Sequence, residues 1–131
     1  GMYTQQLRGV ERICVNPSFR MSQLYSHFHV GKYKWLNPRR NGETEFHVYK
    51  ETIEAFKTME EHQFDNIDEV ETLFCHGLFG DEDPLAGNNR ELFEAHYPGM
   101  SEVYPGGHRL SADIVKAVLI PKIRSILNNE V

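Results

Sequence analysis

The chain has 131 residues, 40% of them hydrophobic, 25% charged and 11% aromatic, which is one folded domain with a real core and excludes a disordered chain. Fourteen Lys and Arg against nineteen Asp and Glu leave a formal charge of -5, so no dominant basic face of the kind that grips nucleic acid is implied. No apolar run approaches ~18 residues, so neither a membrane span nor a membrane partner is expected.

The opening stretch, residues 2–7, is short and mostly polar. Val10 to Val15 is rich in β-branched residues and runs into Asn16-Pro17, a turn signal, so a short strand is expected there. Met21, Leu24, Tyr25 and Phe28 recur at helical spacing and predict a short helix ended by Gly31. Tyr33 to Gly42 is basic, aromatic and turn-rich and reads as a loop. A brief extended piece at Phe46 to Tyr49 follows, then a surface helix over Thr52 to His62, where Ile53, Phe56 and Met59 lie among charged residues. Asp65 to Glu69 is an acidic, solvated connector.

Glu71 to Gly80 has a nearly continuous apolar centre bounded by Gly80-Asp81-Glu82-Asp83-Pro84. Such a run suits a strand buried on both faces of a parallel sheet. Asn89 to His96 reads as a short helix and Met100 to Tyr104 as a strand. Pro105-Gly106-Gly107 is a sharp turn. Ser111 to Leu127 is the clearest helix, capped by Ser111, with Asp113 in its first turn and a kink expected at Pro121. The alternation of strand and helix predicts an α/β fold: a short, mostly parallel sheet of about three strands with helices packed on it. Sites in such sheets lie past the carboxyl ends of the strands.

Two of those ends carry groups suited to catalysis. Gly80-Asp81-Glu82-Asp83 places carboxylates past the buried strand, and Gly106-Gly107-His108 places an imidazole past the last one. A His held by a carboxylate is the base half of a nucleophilic triad, because the carboxylate fixes the tautomer and stabilises the imidazolium. Solvated loop side chains are the plain alternative at this spacing.

The segment from Gly77 onward, GLFGDEDPLAGNNRELFEAHYPGMSEVYPGGHRLSADIVKAVLIPKI, resembles the end of an α/β-hydrolase. There the acid often lies in a Gly-x-x-Asp turn after a late strand and the histidine in a Gly-Gly-His turn after the last. The front, GMYTQQLRGVERICVNPSFRMSQL, is similar to the stretch after the nucleophile elbow in small YqiA-type esterases, where the next strand ends in Asn-Pro. The resemblance implies the carboxyl-terminal half of a serine esterase, a single domain over 1–131 with a cap insertion over 33–70. It implies Asp83 as triad acid, with Asp81 as the alternative, and His108 as general base. Asn16 and Pro17 would shape the substrate wall, and no cofactor or metal is implied.

One element departs from that pattern. None of the six serines stands in a Gly-x-Ser-x-Gly setting, the strained turn that the nucleophile needs. Gly1 reads either as a tag remnant before a start methionine or as the last glycine of the elbow. The chain alone is therefore expected to be inactive on simple esters. Half a sheet exposes an edge near Val10 to Val15, which implies a homo-oligomer or pairing with an upstream half of the hydrolase. The same features also suit a non-catalytic oligomeric module or one chain of a split enzyme.

Cys14 and Cys75 are too few for a disulfide framework, and no signal peptide opens the chain, which points to the cytoplasm. Cys75-His76 does not make a nucleophile–base pair, since adjacent strand residues face opposite ways. His27 and His29 share one face of an extended segment but lack a third metal ligand nearby. Lys34, Arg39 and Arg40 with Tyr33 and Trp35 form a basic-aromatic loop, read as solvated surface or a substrate cap.

Overall fold

The structure is a computed structural model and describes residues 1–25 and 29–129. Two compact units divide it, one made of Gly1–Phe19 with Phe64–Val131, the other of Arg20–Gln63.

The first unit is built on a three-stranded parallel sheet, β1 (Arg12–Val15), β4 (Cys75–Gly80) and β5 (Ser101–Tyr104), in the order β1-β4-β5. Cys14 stands beside Gly77 and Gly77 beside Ser101, so the three strands end together near Asn16, Gly80 and Tyr104. Every residue of β4 is buried, as its apolar run predicts for a central strand. Gly77 is required there by packing. A Cβ would come within 2.7 Å of the Phe79 ring and 2.8 Å of Phe93.

One face of the sheet is covered by α1 (Met2–Gln6) and α4 (Asn89–His96). The core on this side joins Cys14, Phe19, Cys75, Phe79, Phe93 and Tyr97. Phe93 is its hub, with ring centroids 5.6 Å from Phe79, 5.0 Å from Tyr97 and 6.4 Å from Phe19. A buried polar chain crosses the same layer. Arg12 pairs with Glu71 at 3.0 Å and donates to the Tyr97 hydroxyl at 3.2 Å, and that hydroxyl donates to Gln5 Oε1 at 2.6 Å. Burial opposes the charge of Arg12, but the hydrogen bond to Tyr97, together with Cys75 and Glu71, raises its pKa above the ordinary value. The polar pattern of residues 2–7 does not announce α1. The helix is five residues long and rests on burial of Met2 and Gln5, a tertiary effect that outweighs its weak local pattern.

The other face meets the carboxyl-terminal helix. It opens as α5 (Ala112–Ile114), with Ser111 accepting from the Ile114 amide, passes through a π-helical stretch over Val115–Leu119 and continues as α6 (Ile120–Asn129). The π stretch is the form taken by the distortion expected at Pro121. Proline has no N–H to give, and its ring crowds the carbonyl four residues back, so one wide turn just before it relieves both. Lys122 reaches Glu102 of β5 at 3.0 Å.

The second unit holds α2 (Met21–Tyr25), a two-stranded antiparallel sheet of β2 (Gly31–Lys34) and β3 (Glu45–Val48), and α3 (Lys50–His62). Here α2 packs on α3, and Ser22 donates to Glu60 through both its amide and its hydroxyl. Tyr33 and Lys34 belong to β2, not to the loop expected over Tyr33 to Gly42, because Tyr33 stacks across the pair on Phe46 at 5.7 Å. This unit spans 20–63 and overlaps most of the 33–70 stretch. Phe64 and Ile67 pack on the core of the first unit. The expected end of the first helix at Phe28 lies outside the described residues.

No described helix is long and apolar enough to cross a membrane.

Candidate functional site

The carboxyl ends of β1, β4 and β5 carry the three turns picked out from the sequence. The turn after β4 and the turn after β5 are zipped together by main-chain bonds, Asp81 N–H to Tyr104 O at 3.0 Å and Glu82 N–H to Gly106 O at 2.9 Å. Gly80 permits this closeness, since a Cβ there would lie 2.5 Å from the Gly106 carbonyl oxygen and 2.6 Å from that of Gly107.

The two candidate acids in the first turn are separated by what they bind. Asp81 Oδ1 accepts from the Gly106 amide at 3.0 Å and so braces the turn. Asp83 Oδ2 lies 3.0 Å from His108 Nδ1, and Asp83 Oδ1 accepts from the Leu85 amide at 2.9 Å. The Asp83 side chain is 2% exposed, the His108 side chain 43%. A carboxylate shielded from water therefore holds one nitrogen of a half-exposed ring. Facing a carboxylate, Nδ1 is the nitrogen placed to donate, and in the neutral ring Nε2 would then be the acceptor, the form a general base needs.

Asn16 ties the edge strand to this pair. Its Nδ2 donates to the Tyr104 hydroxyl at 2.5 Å and to the carbonyls of His108 and Gly107 at 2.7 and 3.2 Å, while its Oδ1 accepts from the Gly80 amide at 2.8 Å. Tyr104 donates in turn to the Gly107 carbonyl at 2.9 Å. Asn16 adopts φ 42°, a left-handed conformation that asparagine tolerates better than most residues. Its polar atoms are taken up inside the protein, so it is a clamp for the histidine turn. Pro17 is buried against Gly1.

Among the serines, Ser101 is bonded to Glu94, Ser22 to Glu60, and Ser111 caps the last helix. Cys75 and His76 do face opposite ways. Cys75 lies in the core with its sulfur 3.8 Å from that of Cys14, whose thiol is pushed up by that sulfur contact and by burial. His76 pairs with Glu11 at 2.7 Å, a contact across 65 residues with no sequence signal beyond the two residue types. Among the described residues no three His, Cys, Asp or Glu side chains gather closely enough to hold a metal ion. His29 is exposed, and His27 lies outside the described residues.

No protein-family model, curated protein or solved structure matches this chain.

Proposed function

We propose that Asp83 and His108 are the acid and base of a nucleophilic hydrolase site of the carboxylic-ester type. The chain is read as the carboxyl-terminal portion of an α/β-hydrolase whose nucleophile comes from another segment. The observation that carries this reading is the 3.0 Å contact between a shielded carboxylate and a half-exposed imidazole past the ends of parallel strands. With a serine presented to Nε2, the ring would take the hydroxyl proton as oxygen attacks the acyl carbon and return it to the leaving alkoxide. Asp83 would hold the ring and balance its charge. No cofactor enters this chemistry. Two free buried thiols support a reducing, cytoplasmic setting.

The test is hydrolysis of a p-nitrophenyl ester by the chain alone and after addition of a separately expressed segment bearing Gly-x-Ser-x-Gly. The reading expects no turnover alone and turnover in the mixture that His108→Ala abolishes. Turnover by the chain alone that depends on His108 would overturn the need for an outside nucleophile. Turnover in neither case would remove the hydrolase reading.

A second reading is favoured by the edge of the sheet. Among the described strands β1 pairs only with β4, and a groove of about 840 Å³ lies beside it, lined by Val10, Ile13, Val15, Phe74, Ile123 and Leu127. An open edge next to apolar surface suits pairing with a second copy, giving a non-catalytic oligomeric module. Light scattering at micromolar concentration distinguishes the two, since a monomer there removes this second reading.

A further inference from the structure

The β2–β3 hairpin carries a surface that the acid–imidazole pair does not use. Between Gly31 and Gly42 stand Lys32, Lys34, Arg39 and Arg40 and no carboxylate, on a chain of overall charge -5. The ladder closes at Trp35, whose amide donates to the Thr44 carbonyl at 3.0 Å, and the Gly42 amide turns back to the Arg39 carbonyl at 3.0 Å. Leu36 to Asn41 is therefore the tip. Leu36 is 96% exposed there.

Behind the tip the aromatic rings are already engaged. Trp35 packs on Phe46 with centroids 4.4 Å apart, Tyr33 stacks on Phe46, and the Arg39 guanidinium lies 4.0 Å from the centre of the Trp35 ring. A groove of about 610 Å³ follows the turn, lined by Tyr33, Trp35, Leu36, Pro38, Arg39 and Phe46. Lys34 stands opposite Glu45 in the hairpin register and Lys32 lies farther from the turn, so the charge of the tip itself is that of Arg39 and Arg40.

A basic, aromatic turn suits two kinds of polyanion, and the geometry separates them. Single-stranded nucleic acid is held by bases stacking on open aromatic faces. Here the rings pack on one another and under Arg39, and what the tip turns outward is a leucine and a proline beside two guanidinium groups. That combination fits a lipid surface, where apolar side chains enter below the headgroups while cations stay at the phosphates. We propose that the turn Leu36 to Asn41 docks the protein on an anionic bilayer surface, with Leu36 inserting and Arg39 and Arg40 pairing with lipid phosphates. This departs from the expectation of no membrane partner, which rests on the lack of a spanning segment; no described helix is long and apolar enough to span, but docking needs only the interface. Because the rest of the chain is acidic, the attraction is local and is screened by salt over about 10 Å.

The test uses the full chain and vesicles of phosphatidylcholine with about a third phosphatidylserine, against phosphatidylcholine alone. Trp35 is the one tryptophan and reports docking by a blue shift of its emission, alongside co-sedimentation. Expected is binding to the anionic vesicles only, lost at ~0.5 M salt. Arg40→Ala should weaken it roughly fivefold, the effect of one interfacial cation, and Leu36→Asp should weaken it further. Both side chains are exposed, so the fold should tolerate either change, and Lys57→Ala on α3 should leave binding unaltered. Equal binding to neutral vesicles, no vesicle binding, or binding indifferent to both hairpin changes would overturn the proposal. Binding of oligothymidylate that needs Arg40, with no vesicle binding, would reassign the surface to nucleic acid.

Discussion

Asn16 gives its side-chain amide to the main-chain carbonyl of His108 at 2.7 Å, so the edge strand holds the turn that carries the imidazole across 92 positions of sequence. The same amide meets the Tyr104 hydroxyl, and the side-chain oxygen Oδ1 of Asn16 accepts from the Gly80 amide. One buried residue thus links the ends of all three parallel strands, which makes the position of His108 a property of the whole sheet.

Replacing Asn16 with Ala should cost about 3 kcal/mol. The change loses several hydrogen bonds of about 1 kcal/mol net each, strands the buried Gly80 amide and leaves at φ 42° an alanine, which tolerates the left-handed region less well than asparagine. Asn16→Gly loses the same bonds but not the backbone fit, so it should be about 1 kcal/mol milder than Ala. Urea unfolding of the two variants checks the order; equal losses would remove the conformational part of the argument.

Gly80→Ala tests the close approach of the two turns. Its new Cβ would collide with two backbone carbonyls, which have no rotamer to escape into. A loss of roughly 3 kcal/mol is expected, at the upper end for overpacking. The His108 ring signals in a heteronuclear NMR spectrum should move as well, because the displaced residues directly precede it. Unchanged stability and spectrum would mean that the turns part without cost.

The central strand is legible in the sequence because burial on both faces leaves a continuous apolar run around Leu78, and the helix at Asn89–His96 because its apolar residues recur on one face. The strand-end chemistry is legible as residue types in turns. The choice between Asp81 and Asp83 is not. The two stand two residues apart in one turn, and only contacts 25 positions away tell them apart, Asp81 on the Gly106 amide and Asp83 on the His108 ring. Asn16 reads as a turn residue, while its clamp on Gly107 and His108 is a tertiary contact that no local pattern encodes. Pro121 announces a distortion in the last helix, but the residue alone does not say whether it takes the form of a kink or of the π turn over Val115–Leu119. The strand at Gly31–Lys34 hides in a basic segment because what marks it is tertiary, a ladder to β3 and the rings of Tyr33 and Trp35 against Phe46.

Asp83→Asn and Asp81→Asn should separate the roles of the two acids. An amide at position 83 can donate as well as accept, so the His108 ring loses the partner that sets its tautomer, and its nitrogen shifts should change by NMR. Asp81→Asn leaves a carbonyl oxygen for the Gly106 amide, so the ring signals should stay and stability should fall by about 1 kcal/mol at most. The reverse pattern would exchange the two assignments.

The pH dependence of stability should show two separate contributions from α4, one from His96 and one from Glu94. Burial pushes His96, stacked on Phe64 with centroids 3.8 Å apart, below its ordinary value of 6.5. Above that value both folded and unfolded chains carry it neutral. As pH falls through 6.5, the unfolded chain takes up a proton that the fold resists, so stability drops until the lowered folded pKa is passed. Glu94 acts lower on the scale. The Ser101 hydroxyl and the Gly99 amide hold its carboxyl below the ordinary 4.5, so its contribution is full above 4.5 and disappears as pH falls through the lowered folded value. His96→Phe should therefore flatten the urea midpoint just below pH 6.5 and leave the acid limb intact. Glu94→Gln should weaken the protein at neutral pH and flatten only the acid limb. If either variant alters the limb assigned to the other, the two groups are not the independent titrating sites that their separate partners imply.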